Sequence, residues 1–247
     1  MAGGKPSFYQ NIPGQLLKRQ VYSRSYYSYH HPRADKYTPT QHKILSSALS
    51  NVPNHGFVKQ SLVQGCRDAG YGDTTHAVFQ GGVFDLIKYH LYVQRHKLAL
   101  LKPAIDEQEG KNVEKRIRRY CVERLKGNQD LISKWPEALA VMGLPSNVPE
   151  SVLELGKLAD EIWFLVDDKD SDITWYTKRA TLSAIYSSTE LFMTQDKSPN
   201  FEKTFEFLDR RLTELSSLQS SASSFSNWLQ FSAISGVNLV KSQLARG

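Results

Sequence analysis

One stretch near residue 180 constrains the fold more than any other. Ile173, Ala180, Leu182, Ala184, Ile185, Tyr186, Leu191, Phe192 and Met193 fall around most of the circumference of a single helix. A helix that is apolar on nearly all sides must be enclosed by other elements. The spacing predicts that helix over 171–195. Its first two turns carry something else: Asp172, Trp175, Tyr176 and Arg179 stand at i, i+3, i+4 and i+7 and so share one face. That face reads either as core aromatics beside a solvated ion pair, or as a docking surface, because Trp, Tyr and Arg are the residues enriched at interface hot spots.

The rest of the chain agrees with an all-α architecture. Apolar residues recur at helical spacing from Pro39 onward, and Pro136, Pro149 and Pro199 each suit the first turn of a helix, where the missing N–H has no helical partner. Helices are expected near 40–52, 59–69, 73–79, 83–102, 107–127, 135–143, 149–168, 171–195, 199–219 and 225–245. A chain of 247 residues, 40% of them apolar, can build one sizeable core from such pieces. The expected organisation is a basic tail at 1–38, a helical domain at 39–215, a Ser-rich linker at 216–224 and a last helix at 225–247. Within the domain, 39–82 forms a helix-turn-helix-like part and 83–215 the remainder.

The net charge of +6 is misleading as a sign of nucleic-acid binding. Lys5, Lys18, Arg19, Arg24 and Arg33 lie in an acid-free segment, 1–34, which leaves 26 basic and 25 acidic residues in the rest. A near-neutral body matches a polyphosphate poorly. The segment itself is rich in Arg, Ser and Tyr and has no apolar run, the composition of a mitochondrial targeting segment or of a disordered tail behind an added MAGG start. Cys66 and Cys121 stand alone, far apart and outside any CxxC, and read as reduced, ordinary residues.

The final helix follows the last acidic residue, Glu214. Phe225, Leu229, Ala233, Val237, Val240 and Leu244 form its stripe, widened by Trp228, Phe231 and Ile234, with Lys241 and Arg246 near its end. Its many Ser, Asn and Gln make a bilayer span costly. It fits a helix lying in the membrane interface, with Phe225, Trp228, Leu229, Phe231 and Ile234 sunk among acyl chains and Lys241 toward phosphates; docking on the protein's own core or on a second subunit is the alternative.

No catalytic constellation is apparent. The sequence holds no Gly-rich phosphate loop, GxSxG elbow, HExxH or paired Glu-x-x-His. All seven His lie before residue 100 without an i, i+4 pair, so no metal ligand and no catalytic residue is assigned. Asp167, Asp168, Asp170 and Asp172 form an acidic run that could hold a divalent ion, although acids at a helix start are already explained by its dipole.

Two resemblances sharpen this reading. The segment HKILSSALSNVPNHGFVKQSLVQGCRDAGYGDTTHAVFQGGVFDLIKYHL resembles the DNA-binding end of tetracycline-repressor-type regulators, but its third helix, DTTHAVF, is led by an acid and lacks Lys and Arg. WPEALAVMGLPSNVPESVLELGKLADEIWF, DITWYTKRATLSAIYSSTELFMTQDKS and the terminal VNLVKSQLARG together resemble the mitochondrial lipid-binding accessory proteins of ubiquinone biosynthesis, the ninth of the numbered Coq proteins, in their fungal form. The likeness runs from about residue 40 to the end.

That resemblance implies a repressor-like all-α bundle without DNA binding, a homodimer pairing through the helices at 171–195 and 199–219, and no cofactor. It implies a pocket for isoprenoid quinone intermediates or phospholipid. It also implies peripheral attachment through the last helix to the matrix side of the mitochondrial inner membrane. Asp172, Trp175, Tyr176 and Arg179 match the family's docking patch for demethoxyubiquinone hydroxylase, the di-iron enzyme of the pathway, beside which other ubiquinone-biosynthesis proteins would assemble. Leu158, Ile162, Trp163 and Phe164 are candidate pocket residues, with plain core packing as their alternative. The rival functions are a scaffold for the biosynthetic complex without lipid specificity, an enzyme acting on a quinone, and a DNA-binding regulator.

Overall fold

The computed structural model describes residues 36–168 and 173–218. The basic tail and the last helix, with Phe225, Trp228, Leu229, Phe231, Ile234 and Lys241, lie outside those residues, as does Asp172. Among the described residues every regular element is helical, and no strand occurs. The chain forms two compact units, one reaching to His90 and one starting at Leu91.

In the first unit, α1 (Pro39–His55) starts on a capping box: the Thr38 hydroxyl accepts from the Gln41 backbone N–H and the Gln41 side chain accepts from the Thr38 N–H. It ends at Gly56, whose φ of 82° suits a residue without Cβ. Helix α2 (Lys59–Asp68) crosses it so closely that a Cβ on Gly65 would lie 2.5 Å from the Ala48 Cβ. The expected third helix is a 3-10 turn, Asp73–Val78, with no buried side chain. Its side chains are exposed or at most half-buried, so little packing offsets the cost of propagating a longer helix. Its leading acid, Asp73, is bound by Arg67, which raises the guanidinium pKa and lowers that of the carboxyl.

Helix α3 (Val83–Glu109) runs past Pro103, where the sequence suggested it would stop. Proline removes only one helical hydrogen bond, and Ile105, buried beyond it, continues the packed face. The helix stops at Gly110, in the left-handed region at φ 59°, and Asn112 caps α4 (Val113–Lys126) by accepting from the Lys115 N–H.

The second unit continues through a 3-10 turn at Gln129–Lys134, α5 (Trp135–Met142), α6 (Val148–Leu165), α7 (Ile173–Met193), a further turn at Pro199–Phe201 and α8 (Glu202–Leu218). Pro136, Pro149 and Pro199 each occupy a first-turn position, as their placement suggested. Helix α7 is buried along one side, where Leu182, Ile185, Tyr186 and Met193 join Tyr120, Leu125, Ile162 and Leu208 in one core. It is not enclosed all round as its apolar circumference predicted: Ala180 is exposed and Ala184 and Phe192 are half-buried, because small and edge positions complete the stripe without full cover. Among the described residues no helix is long and apolar enough to cross a membrane, and no group of His, Cys, Asp and Glu is placed to hold a metal ion. The nearer half of the acidic run is instead ion-paired, Asp167 with Lys102 and Arg116, Asp168 with Lys178.

The start of α8 rests on one carboxylate. Asp196 accepts from the Ser198 N–H (2.8 Å), the Thr204 N–H (2.9 Å) and the Thr204 hydroxyl (2.6 Å). Burial alone would raise its pKa, but these bonds outweigh burial and lower it. A depressed acid stabilises the fold fully above its ordinary value of 3.8, and that contribution is lost as pH falls through the lowered value. Asp196→Asn should therefore cost about 1 kcal/mol near neutrality and narrow its gap to the parent below pH ~3.5, which urea unfolding across pH measures.

Candidate functional site

The second unit contains a cavity of about 240 Å³. Helix α6 supplies the largest apolar share of its wall through Val148, Val152, Leu155 and Leu158, facing Leu139 and Met142 of α5 and Leu91 of α3. Val148, Val152 and Leu155 stand at i, i+4 and i+7, so one face of the helix lines the space. An apolar cavity of about 150 Å³ admits benzene, which gives a scale for this one: room for a substituted ring or a short run of an isoprenoid chain.

Seven polar side chains also border the cavity, Ser151 and Ser187 among them, and they are engaged with one another or with close neighbours. Arg124 donates to the Asn128 side-chain oxygen (2.8 Å), the Asn128 amide donates to Glu190 (2.7 Å), and the Tyr186 hydroxyl donates to the same carboxylate oxygen (3.2 Å). On the other side Glu154 pairs with Lys157 at 2.8 Å and with Arg95 at 3.6 Å. Burial raises the Glu190 carboxyl pKa against the pull of Arg124, Asn128 and Tyr186, and burial likewise holds Tyr186 well above the ordinary phenol value. With its charges balanced laterally, the cavity presents a predominantly apolar wall.

Of the four expected pocket residues, Leu158 lies on that wall. Ile162 and Trp163 are buried in the core and Phe164 packs against it, so none of these three lines the cavity. They sit one turn too far along α6. The residues that do line it were legible only as an i, i+4, i+7 stripe at 148, 152 and 155, which any packed helix would also show.

A second feature lies at the start of α7. Trp175 is half-buried, and Tyr176, 72% exposed, meets its ring edge-on at 4.7 Å between centroids. The Arg179 guanidinium lies 3.8 Å from the Trp175 ring centroid, but Arg179 is itself only 9% exposed. Its Nε donates to Asp160 of α6 (2.8 Å) and its Nη1 to the Trp175 carbonyl (3.3 Å). The shared face thus holds Trp175, Tyr176 and Arg179 together, with the aromatics outward and the arginine beneath as a support rather than an exposed charge. Lys178, paired with Asp168 at 3.0 Å, stacks over Trp163, whose indole N–H donates to the Lys178 carbonyl.

The α6 and α7 side of the cavity and the aromatic cluster fall in a segment that carries a likeness to known proteins. The COQ9 family model matches residues 148–219, from the cavity wall through the aromatic cluster to the end of α8. A protein of Schizosaccharomyces pombe named ubiquinone biosynthesis protein coq9, mitochondrial, is 40% identical over 191 residues, which is 76% of this chain and 74% of the relative. The chain belongs to the COQ9 family. The likewise named protein of Eremothecium gossypii is 31% identical over 87% of this chain and 91% of its own length. The human COQ9 protein is 34% identical over 70% of this chain and 57% of its own length. This COQ9 family chain therefore spans little more than half the length of the human relative and most of the fungal ones.

Proposed function

We propose that this protein is a non-catalytic accessory of ubiquinone biosynthesis, which holds the isoprenoid tail of a quinone precursor and presents its head group to demethoxyubiquinone hydroxylase. Family membership supports the pathway and the mitochondrial setting. The observation that carries the rest is the cavity, whose polar neighbours are paired among themselves so that its wall suits an apolar chain. An isoprenoid tail leaving a bilayer for water costs about 0.8 kcal/mol per CH₂, and an apolar cavity at the membrane face lowers that cost. In this reading residues 225–247 attach the protein peripherally to the inner membrane on the matrix side, the protein acts as a homodimer, and Trp175 and Tyr176 dock the hydroxylase while Arg179 holds Trp175 in place.

Leu155→Arg tests the tail site. A cation in the apolar wall should weaken binding of a short-chain polyprenyl quinone, delivered in detergent, by at least about tenfold, while helicity is retained and the thermal transition falls only by the packing that Leu155 loses against the core. Equal affinity in the variant would place the ligand elsewhere and remove this reading.

A further inference from the structure

Where the cavity meets solvent along the start of α6 its edge is aliphatic, although Ser187 is exposed elsewhere on the lining. Val148 and Val152 line it and are also exposed, Val152 at 62%, while Leu144 and Leu153, exposed at 50% and 54%, flank them without lining it. Four large aliphatic side chains thus lie exposed within ten residues of sequence, two of them shared with the cavity wall. Single exposed aliphatics are ordinary, but a contiguous group has a use.

This rim is held in shape rather than left as a loose loop. The Asn147 side chain donates to the Val141 carbonyl (2.9 Å), the Ser151 hydroxyl donates to the Met142 and Asn147 carbonyls (3.1 and 2.9 Å), and the Val148 N–H donates to the Leu144 carbonyl (3.0 Å). Pro145 and Pro149 stiffen the same turn. From Val141 to Leu153 the only charged residue is Glu150. The surface can therefore gain little from anionic headgroups, and its attraction must be for apolar matter.

We infer that the Leu144–Leu153 rim is the cavity's loading port and rests against the acyl region of a zwitterionic lipid bilayer. The inference rests on the reading of the cavity as a tail site: a ligand that cannot cross water needs a continuous apolar path, and the rim joins the cavity to the outside by one. Docked in this way, the port lets the tail slide from lipid into the cavity without being hydrated on the way. The contact is separate from that of residues 225–247, and it sets the rate of loading rather than the affinity of the filled cavity.

A label on the rim tests the contact. Both native cysteines are buried, and burial raises the thiol pKa of each, that of Cys121 to about 12, so a dye reacts with Leu153→Cys in preference to them. In the full chain, an environment-sensitive dye at this position should shift to the blue on phosphatidylcholine vesicles, be quenched by brominated acyl chains, and respond equally at low and high salt. Leu144→Asp combined with Leu153→Asp should slow transfer of a pyrene-labelled isoprenoid chain from those vesicles by about tenfold, leaving its uptake from detergent unchanged.

Three outcomes overturn the port. The dye can already be shielded before vesicles are added, which points to residues 219–247 as the cover. It can shift with protein concentration alone, which points to a second copy. It can stay unquenched while the charged double variant loads at the parental rate. If the parent takes up no probe even from detergent, the cavity reading falls and the port with it; uptake from detergent with normal loading by the double variant removes the port alone.

Discussion

Arg116→Ala should lower the stability of the second unit by about 2–3 kcal/mol, because it strips the donor from two carbonyls at the end of α6, while the carboxylates it pairs with, Asp106 and Asp167, are exposed enough to be hydrated. Arg116 is buried on α4 and gathers the end of α6: Nη2 donates to the Leu165 carbonyl (2.7 Å) and Nη1 to the Val166 carbonyl (3.2 Å). The same guanidinium meets Asp106 at 2.6 Å and Asp167 at 3.1 Å. Helix C-termini leave carbonyls without helical partners, and Arg116 satisfies two of these, with Lys102 sharing Leu165 (2.8 Å). Asp167 lies in the left-handed region at φ 63°, and the Lys102 and Arg116 bonds lower its pKa although burial acts the other way.

Truncating Arg116 leaves carbonyls and carboxylates facing one another with a single ammonium among them. Arg116→Lys keeps the charge but not the fork, so it should lose roughly half as much. Urea unfolding followed by the far-ultraviolet signal reads both, and a midpoint unchanged in Arg116→Ala would show that Lys102 alone holds the α6 terminus.

The second large effect concerns partners. Trp175→Lys should reduce affinity for demethoxyubiquinone hydroxylase by ~100-fold or more, the loss seen when a central aromatic anchor is removed from an interface, with the fold intact. The substitution places a second cation over Arg179, which already balances Asp160, and takes away the ring that Tyr176 packs against. Tyr176→Ala, at the more exposed ring, should cost less. Because Arg179 and Lys178 are each paired with an acid, the surface offers apolar ring edges rather than free charge, and binding should change little with salt. Co-purification of the hydroxylase with Trp175→Lys at the parental level would remove the docking role.

Much of the fold was legible because its signals are local. The buried side of α7 followed from its apolar positions, although the exposure of Ala180 did not, and Pro136, Pro149 and Pro199 marked helix starts through a property of their own backbone. What escaped depends on contacts between distant residues. Pro103 looks like a stop until Ile105 is known to be buried beyond it. Arg179 shares a face with Trp175 by spacing, but only Asp160, 19 residues earlier on another helix, shows that it lies beneath the ring as a buried support.

The candidate site divides in the same way. The aromatic pair was readable as a pair, whereas the cavity was not, since Leu158 lines it and Ile162, one turn later on the same apolar helix, is core. Periodicity tells which face of α6 is covered; it does not tell where that cover leaves a gap. Glu154 and Glu190 carried a hint, as acids embedded in apolar stretches, but their meaning depends on Lys157, Arg95, Asn128 and Tyr186 arriving at the same place.

Native mass spectrometry of the full protein released from mitochondrial membranes shows whether this chain carries an isoprenoid lipid in the α5–α6 cavity. The expected spectrum holds a population heavier than the bare chain by the mass of an isoprenoid quinone precursor, lost on collisional activation and absent from Leu155→Arg. A parent protein that is lipid-free yet still binds the hydroxylase would contradict it and make the protein a scaffold.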